Sequence, residues 1–130
     1  MVKLFEKSDL AKIKDPIEAI VSEGNLDVFD NGVGLTFEED GVVLGCGGVV
    51  LHGSDVGEFW ARIAKNTKTI TILSSLRVAM AILENSFPGV KLVCRVQDGW
   101  VKGERLARHL GFIKDHIEEN YWVYTWQQQH

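Results

Sequence analysis

Glu58 stands at the start of an apolar run, just after a turn that carries His52 and Asp55. Carboxylate and imidazole groups are the side chains that most often act as general acids and bases. We therefore take Glu58, and after it Asp55 and His52, as candidate proton-transfer residues. The competing interpretation is that Glu58 faces solvent on a strand, because most carboxylates are exposed.

A second group of polar residues, 65–71, precedes a predicted helix. The free N–H groups and the dipole at a helix N-terminus attract anions. An anion would also be attracted by the positive charges of Lys65 and Lys68 and by the threonine hydroxyls of this segment. The segment contains no glycine. It is either an anion-binding loop or only a cap, with Thr69 or Thr71 as the capping residue.

The composition excludes several other classes of function. Cys46 and Cys94 lie in apolar runs without metal-binding spacing, so we expect two reduced thiols in the core and no metal site. The formal net charge of −4 argues against nucleic-acid binding. No apolar run approaches the roughly 18 residues that a membrane span needs, and no signal peptide is evident. We expect one cytoplasmic domain over residues 1–130.

The N-terminal part predicts one strand and two short helices. Residues 2–5 form the strand, and Ser8 or Asp9 would cap the first helix by accepting hydrogen bonds from its free N–H groups. Pro16 suits the first turn of a second helix over residues 17–22.

The middle of the chain predicts a meander of three strands. The apolar runs 34–39 and 42–51 are separated by Asp40 and Gly41. This dipeptide is a strong hairpin signal, because both turn positions need positive φ. Residues 58–64 would form the third strand.

The last part alternates helices and strands. Apolar residues at three- and four-residue steps predict a helix over 71–87. A nearly continuous apolar run over 90–96 predicts a central strand buried on both faces. A helix over 100–110 with Gly111 as its left-handed cap follows, and residues 121–126 form an aromatic strand. The order predicts a mixed sheet.

The final third resembles the GNAT acyltransferase superfamily. Members have an apolar strand and then a helix ending in a Leu-Tyr-x-x-Leu-Gly-Phe pattern; here the strand is 91–96 and the pattern occupies 106–112. The acidic turn and aromatic strand over 118–124 are similar to the family's last hairpin, and the small-residue strand over 43–49 is similar to its third strand. The resemblance covers residues 2–126 and implies an α/β (α+β) fold, a mixed, mostly antiparallel β-sheet flanked by helices.

The resemblance also implies where acetyl-CoA would bind. In the family, the strand before the long helix bonds the pantetheine arm, and a glycine-containing loop binds the pyrophosphate. On that basis the backbone N–H groups near Ile63 and Ala64 supply oxyanion donors. Trp100 would wall off the acyl tunnel, pack on the ligand or join the core. The implied anion site comprises Asn66, Thr67, Lys68, Thr69, Ile70 and Thr71.

This sequence departs from the family at three places. The loop lacks glycine, the tyrosine that protonates the leaving thiolate is Ala107, and the asparagine after the central strand is Trp100. Tyr121 or Tyr124 would be the substitute acid, and nothing in the sequence places either one.

The implied function is transfer of an acyl group from acetyl-CoA to an amine, with Glu58 as the base. The segment 56–60 is similar to GNAT-like proteins of bacteriophages, which implies a phage protein in the host cytoplasm. The alternative is a catalytically degenerate domain that serves in a virion or binds a host factor. The aromatic last strand would then supply a protein interface or, as a sheet edge, a homodimer contact. The sequence leaves open whether the protein is an enzyme.

Overall fold

The described part of the chain forms a mixed sheet with helices on both faces. The computed structural model describes residues 2–13, 16–20, 32–53, 55–65, 67–86 and 88–126. The strands are β1 (Val2–Leu4), β2 (Pro16–Ile20), β3 (Gly32–Glu39), β4 (Val42–His52), β5 (Val56–Ala64), β6 (Lys91–Gln97), β7 (Phe112–Glu118) and β8 (Tyr121–Trp126). The helices are a 3-10 helix (Lys7–Lys12), α1 (Thr69–Ser86) and α2 (Val101–His109).

The sheet has the order β1-β3-β4-β5-β6-β8-β7, with β2 added beside β5. Every pair is antiparallel except β5 with β6. Parallel neighbours need a crossover connection, which α1 supplies. The expected mixed, mostly antiparallel sheet is confirmed. No described helix has the length and apolar composition that a membrane crossing requires.

Strands β5 and β6 form a fork. They pair only between residues 56–58 and 91–93, although β5 continues to Ala64 and β6 to Gln97. The other edge of β5 is paired with β4 as far as Ile63. Strand β2, which pairs with β5 over residues 61–64, must therefore lie on the β6 side, within the fork.

The predicted helix over 17–22 is wrong where the structure describes it, because residues 16–20 are strand β2. Its last two residues lie outside the described ranges. The unpaired edge of β5 offers N–H and C=O partners to a passing segment, and such tertiary pairing overrides the weak helix propensity of a short sequence. Ile17, opposite Ile63, is β-branched and suits this pairing.

Helices α1 and α2 pack on one face of the sheet, and the 3-10 helix packs on the other. Phe59 and Ile63 of β5 lie in the cluster under α1 and α2, whereas Trp60 packs with Leu10 and Ile13. This alternation follows from the period of two along a strand. The face bearing Trp60 also carries Glu58.

The two cysteines are free and buried, as expected. Burial raises the pKa of the Cys46 thiol to about 11 and that of Cys94 well above its usual value. The thiols are therefore inert core groups. Strand β6 is not buried on both faces as predicted, because Lys91 and Arg95 on its second face are exposed.

Two turn predictions are confirmed by backbone angles. Asp40 and Gly41 have φ of 52° and 78°, as a two-residue hairpin turn requires. Gly111 has φ of 97° directly after α2. Strand β7 was not predicted, since it contains Lys114 and Asp115 and its burial is confined to Phe112.

Strand β8 lies between β6 and β7. The expectation that the last aromatic strand forms a sheet edge is therefore wrong, because β7 takes the edge position. The indoles of β8 serve the fold instead. Trp122 donates a hydrogen bond to Asp98 (2.9 Å), and Trp126 donates one to the carbonyl of Leu110 at the end of α2 (2.9 Å).

Asp9 joins the 3-10 helix to the sheet. Its side chain is fully buried and accepts hydrogen bonds from the Glu6 amide (3.0 Å), the Thr36 hydroxyl (2.9 Å) and Lys12 Nζ (3.2 Å). The helix cap is Glu6, with Asp9 three residues later in a capping box. The predicted cap at Ser8 or Asp9 is thus displaced by two or three residues.

Asp9→Asn should lower the free energy of unfolding at pH 7 by about 2 kcal/mol, because hydrogen bonds to a charged group are among the stronger ones. Burial alone would raise the pKa of Asp9, but the bonds from Glu6, Thr36 and Lys12 and the nearby Lys3 charge lower it overall. The native carboxylate therefore stabilises the fold above about pH 4, and this contribution is lost as the pH falls further.

Urea unfolding at pH 7 and pH 3 measures the difference in free energy of unfolding between wild type and variant. This difference should be smaller at pH 3. The exposed Asp40→Asn variant is the control, with little change expected at either pH. A difference that is equal at both pH values would contradict the assignment of the effect to the Asp9 charge.

Candidate active site

Glu58 lies at the last paired position of the fork, opposite Val93. Its side chain is 3% exposed, so the interpretation of Glu58 as a solvent-facing residue is wrong. The carboxylate Oε1 is 2.9 Å from Nε2 of His52. His52 is about half exposed and is the last residue of β4. The structure thus joins two of the three candidate proton-transfer groups.

The other oxygen of Glu58, Oε2, is buried and has no hydrogen-bond partner among the described residues. Buried polar atoms are almost always paired, so an unpaired carboxylate oxygen needs an explanation, of which a catalytic role is one. A carboxylate that is held by His52 through one oxygen and keeps the other unpaired has the capacity to accept a proton.

Asp55 has a different role from the one predicted as an alternative base. Its side chain is exposed, and its carbonyl accepts a hydrogen bond from the Lys91 amide (2.8 Å). This bond fixes the start of the β5–β6 pairing. Asp55 therefore sets the register that places Glu58 at the fork.

An open cleft of about 560 Å³ lies between α1 and α2, on the opposite face of the sheet from Glu58. Small-molecule sites typically have volumes of roughly 300–1,000 Å³. The described lining comprises Ile63, Ile72, Leu73, Trp100, Val101, Lys102, Gly103, Arg105, Leu106 and His109. Trp100 and Ile63, both predicted site residues, therefore share this cleft.

Trp100 forms a wall of the cleft through its contact with Gly103. A Cβ atom at Gly103 would overlap the indole ring, so the glycine allows the ring to lie against the first turn of α2. Trp100 lines the cleft, and it is also packed against the core cluster.

The backbone before α1 offers free donors. The Thr67 amide bonds to the Ala64 carbonyl (3.1 Å), and the first helical bond runs from the Ile72 amide to the Lys68 carbonyl (3.0 Å). The amides of Thr69, Ile70 and Thr71 have no acceptor among the described residues. Because Lys68 takes the capping position, Thr69 and Thr71 lie inside the helix, and their predicted role as caps is wrong.

The side chains of this segment do not gather in the cleft. Thr67 and Thr71 line a separate small pocket of about 20 Å³, and the buried Thr67 hydroxyl has no partner among the described residues. Lys68 and Ile70 are exposed. Asn66 lies outside the described residues. An anion at this position would therefore be held by amides rather than by threonine hydroxyls.

Ile63 and Ala64 lie on the part of β5 that is paired with β2, with Ile17 opposite Ile63 and Pro16 opposite Ala64. The edge that faces the fork is therefore already occupied by protein. A ligand that bonds to this edge must displace β2.

Neither tyrosine that was considered as a substitute for the absent acid belongs to the described lining of the cleft. Ala107 is fully buried on the inner face of α2. Tyr124 is also fully buried, and burial, followed by the negative charge of Glu104, raises its pKa. The charged groups around its hydroxyl, Glu104 and Arg108, do not line the cleft. Tyr121 is half-buried at the start of β8.

Sequence reasoning did not assign Lys102, Arg105 and His109 to the site. Their spacing of three and four residues places them on one helical face. That signal was available, but a solvated helix face has the same pattern. The cleft alone separates the two interpretations.

Comparison with known proteins identifies the fold. The sequence matches no protein-family model, and no curated protein matches it significantly. Among solved structures, an IAA acetyltransferase from Bacillus cereus superposes with a TM-score of 0.72 at 14% identity over 97% of both chains. The GNAT domain of PAT from S. lividans gives 0.71 at 12% identity, over 96% of this chain and 88% of that one.

A GNAT family acetyltransferase from Elizabethkingia anophelis, solved with acetyl-CoA bound, gives a TM-score of 0.66 at 12% identity, covering 88% of this chain and 99% of the other. At these identities the likeness establishes the fold. The chain has the fold of the GNAT acetyltransferases, as its sequence pattern predicted.

Glu58→Met should leave the free energy of unfolding unchanged or raise it by about 1 kcal/mol, because an apolar group of similar volume can replace a poorly satisfied buried charge at no net loss. Chemical unfolding at pH 7 measures the change. Asp9→Asn is the contrast, since that carboxylate is fully bonded. A loss for Glu58→Met as large as for Asp9→Asn would show that Glu58 is structural.

Proposed function

We propose that the protein transfers an acyl group from an acyl-CoA thioester to an amine, with Glu58 as the general base. One observation carries the proposal: a buried carboxylate at the fork of a GNAT-fold sheet, bonded to His52 through one oxygen and without a described partner at the other. Acetyl-CoA is the expected donor, in agreement with the ligand of the Elizabethkingia anophelis structure.

The acyl-CoA supplies an activated carbonyl: the amine nitrogen forms a C–N bond to it, the C–S bond breaks, and CoA leaves as the thiolate. Glu58 Oε2 accepts the proton that the amine loses. His52, bonded to the other oxygen and half exposed, connects Glu58 to solvent and can pass the proton on. A thiol has a pKa of about 8.5. Because the thiolate is therefore a good leaving group, it can depart without a dedicated acid.

The cleft between α1 and α2 fits the apolar and amide-containing part of such a donor in volume and lining. Backbone donors at the start of α1 remain available for its phosphates. The backbone groups of Ile63 and Ala64 that face the fork can bond to the donor only after β2 leaves the edge of β5. We therefore propose that donor bonding to this edge and β2 pairing are mutually exclusive.

A second candidate function rests on β2 and on the missing glycines. A sheet whose fork is filled by its own strand is also what a non-catalytic GNAT-fold protein would contain. Such a protein would act by binding another protein, as expected for a virion component or a host-factor ligand. Phage origin, cytoplasmic or virion location and homodimerisation stay predictions.

Calorimetric titration of cofactor-free protein with CoA and acetyl-CoA separates the two candidates. Micromolar affinity for either one supports the transferase. Absence of heat up to millimolar ligand favours the binding protein and overturns the transferase. Thermal unfolding gives an independent check, since a ligand that binds only the native state raises the midpoint.

Glu58→Gln should lower kcat/KM by about 10²- to 10⁴-fold, the range that general-base catalysis usually contributes. Release of free thiol from acetyl-CoA, with a panel of polyamines, aromatic amines and peptide N-termini, measures the rate. The affinity for CoA should stay unchanged. The same substitution at the exposed Glu39 is the control, and an unchanged rate in Glu58→Gln would rule out this base.

Hydrogen exchange should reveal the displacement of β2. With saturating CoA, the amides of residues 17–20 should exchange faster, because they lose their partners on β5. The amides of β4 that pair with β3 serve as the internal control and should not change. Unaltered protection of β2 in a CoA-saturated sample would place the ligand elsewhere.

A further inference from the structure

Three cationic or titratable basic side chains line one wall of the cleft. Lys102, Arg105 and His109 follow one another at three- and four-residue steps on α2, and all three belong to the cleft lining. The opposite wall is apolar, formed by Ile72 and Leu73 of α1. The cleft is therefore amphipathic, with one basic wall and one apolar wall.

No carboxylate is found among the described lining residues of the cleft. Glu104, the acidic residue of α2, points elsewhere, since it is 3.4 Å from Lys114 Nζ. The basic wall of the cleft is thus not neutralised by its own helix. This arrangement stands out in a protein with a formal net charge of −4, where basic groups would otherwise be diluted by acidic ones.

The start of α1 carries further backbone donors. The amides of Thr69, Ile70 and Thr71 have no described acceptor, and the next two residues, Ile72 and Leu73, line the cleft. Thr71 itself lines the separate small pocket. The proposed subsite therefore rests on the cleft and its basic wall, and not on this helix N-terminus.

We propose that the Lys102–Arg105–His109 face of α2 is the phosphate subsite of the cleft, and that it replaces the glycine loop absent before α1. The ligand class is a phosphorylated molecule with an apolar or amide-containing arm. Arg105 can bind a phosphate through two N–H groups, and Lys102 adds a point charge. The identification of this ligand with CoA rests on the proposed function, but the subsite for phosphate does not.

The test compares wild type with the double variant Lys102→Gln/Arg105→Gln by calorimetry. The ligands are CoA, pantetheine, which lacks the phosphates, and inorganic pyrophosphate. Arg77→Gln/Lys91→Gln is the matched control, because it removes the same charge from exposed positions outside the described cleft. Circular dichroism and the thermal midpoint establish that both variants fold.

The affinity of the double variant for CoA should fall by about 10- to 100-fold, corresponding to the loss of one or two charge-assisted bonds. Its affinity for pantetheine should not change, and binding of CoA should depend less on salt than in wild type. The control should bind all three ligands as wild type does.

Two results would overturn the subsite. One is CoA binding that is unaffected by the double variant, in which case the transferase proposal survives. The other is a wild type that binds neither CoA nor pyrophosphate. If wild type binds pyrophosphate but not CoA, and the double variant loses that binding, the subsite is supported and the proposed acyl donor is wrong.

Discussion

Pairing between β5 and β6 lasts for three residues on each strand, and the cleft, the candidate base and the position of β2 all depend on where it stops. The Asp55 carbonyl and the Lys91 amide set its start, and Glu58 occupies its last position. Beyond that point each strand exposes an edge whose N–H and C=O groups need partners. The fold meets this need on β5 with β2, and α1 and α2 cover the opening on one face.

The two buried carboxylates of the described chain show how a structural charge differs from a candidate functional one. Asp9 is fully buried and bonded to three donors, so its charge holds the 3-10 helix against β3. Glu58 is equally buried but has one oxygen without a described partner. Burial alone does not separate these cases. The completeness of hydrogen bonding does, because a fully bonded group has no capacity left for a substrate.

The fork also creates competition. The part of β5 that the GNAT resemblance assigns to the donor is the part that β2 occupies. The basic face of α2 and the amides of α1 lie outside this competition. A ligand that first binds through its phosphates at the basic face could therefore approach the β5 edge while β2 is still paired. In this scheme the phosphates bind first, and the displacement of β2 from β5 follows.

The sequence by itself determined the elements whose signals are local. The Asp40–Gly41 hairpin, the cap at Gly111 and helix α1 depend on φ preferences and on apolar spacing, and the structure confirms them within one or two residues. The GNAT fold was indicated in a different way, by the resemblance of residues 106–112 to a family pattern. Glu58 could be selected as a candidate base, but its burial and its bond to His52 could not be derived.

Only the tertiary structure decided the features that depend on distant partners. Residues 16–20 became a strand because β5 had a free edge, and β8 became an interior strand because β7 returned beside it. The basic residues of α2 gained a candidate role because α1 faces them across a cleft. Each of these outcomes depends on contacts between residues that are distant in sequence, for which spacing along the chain carries no signal.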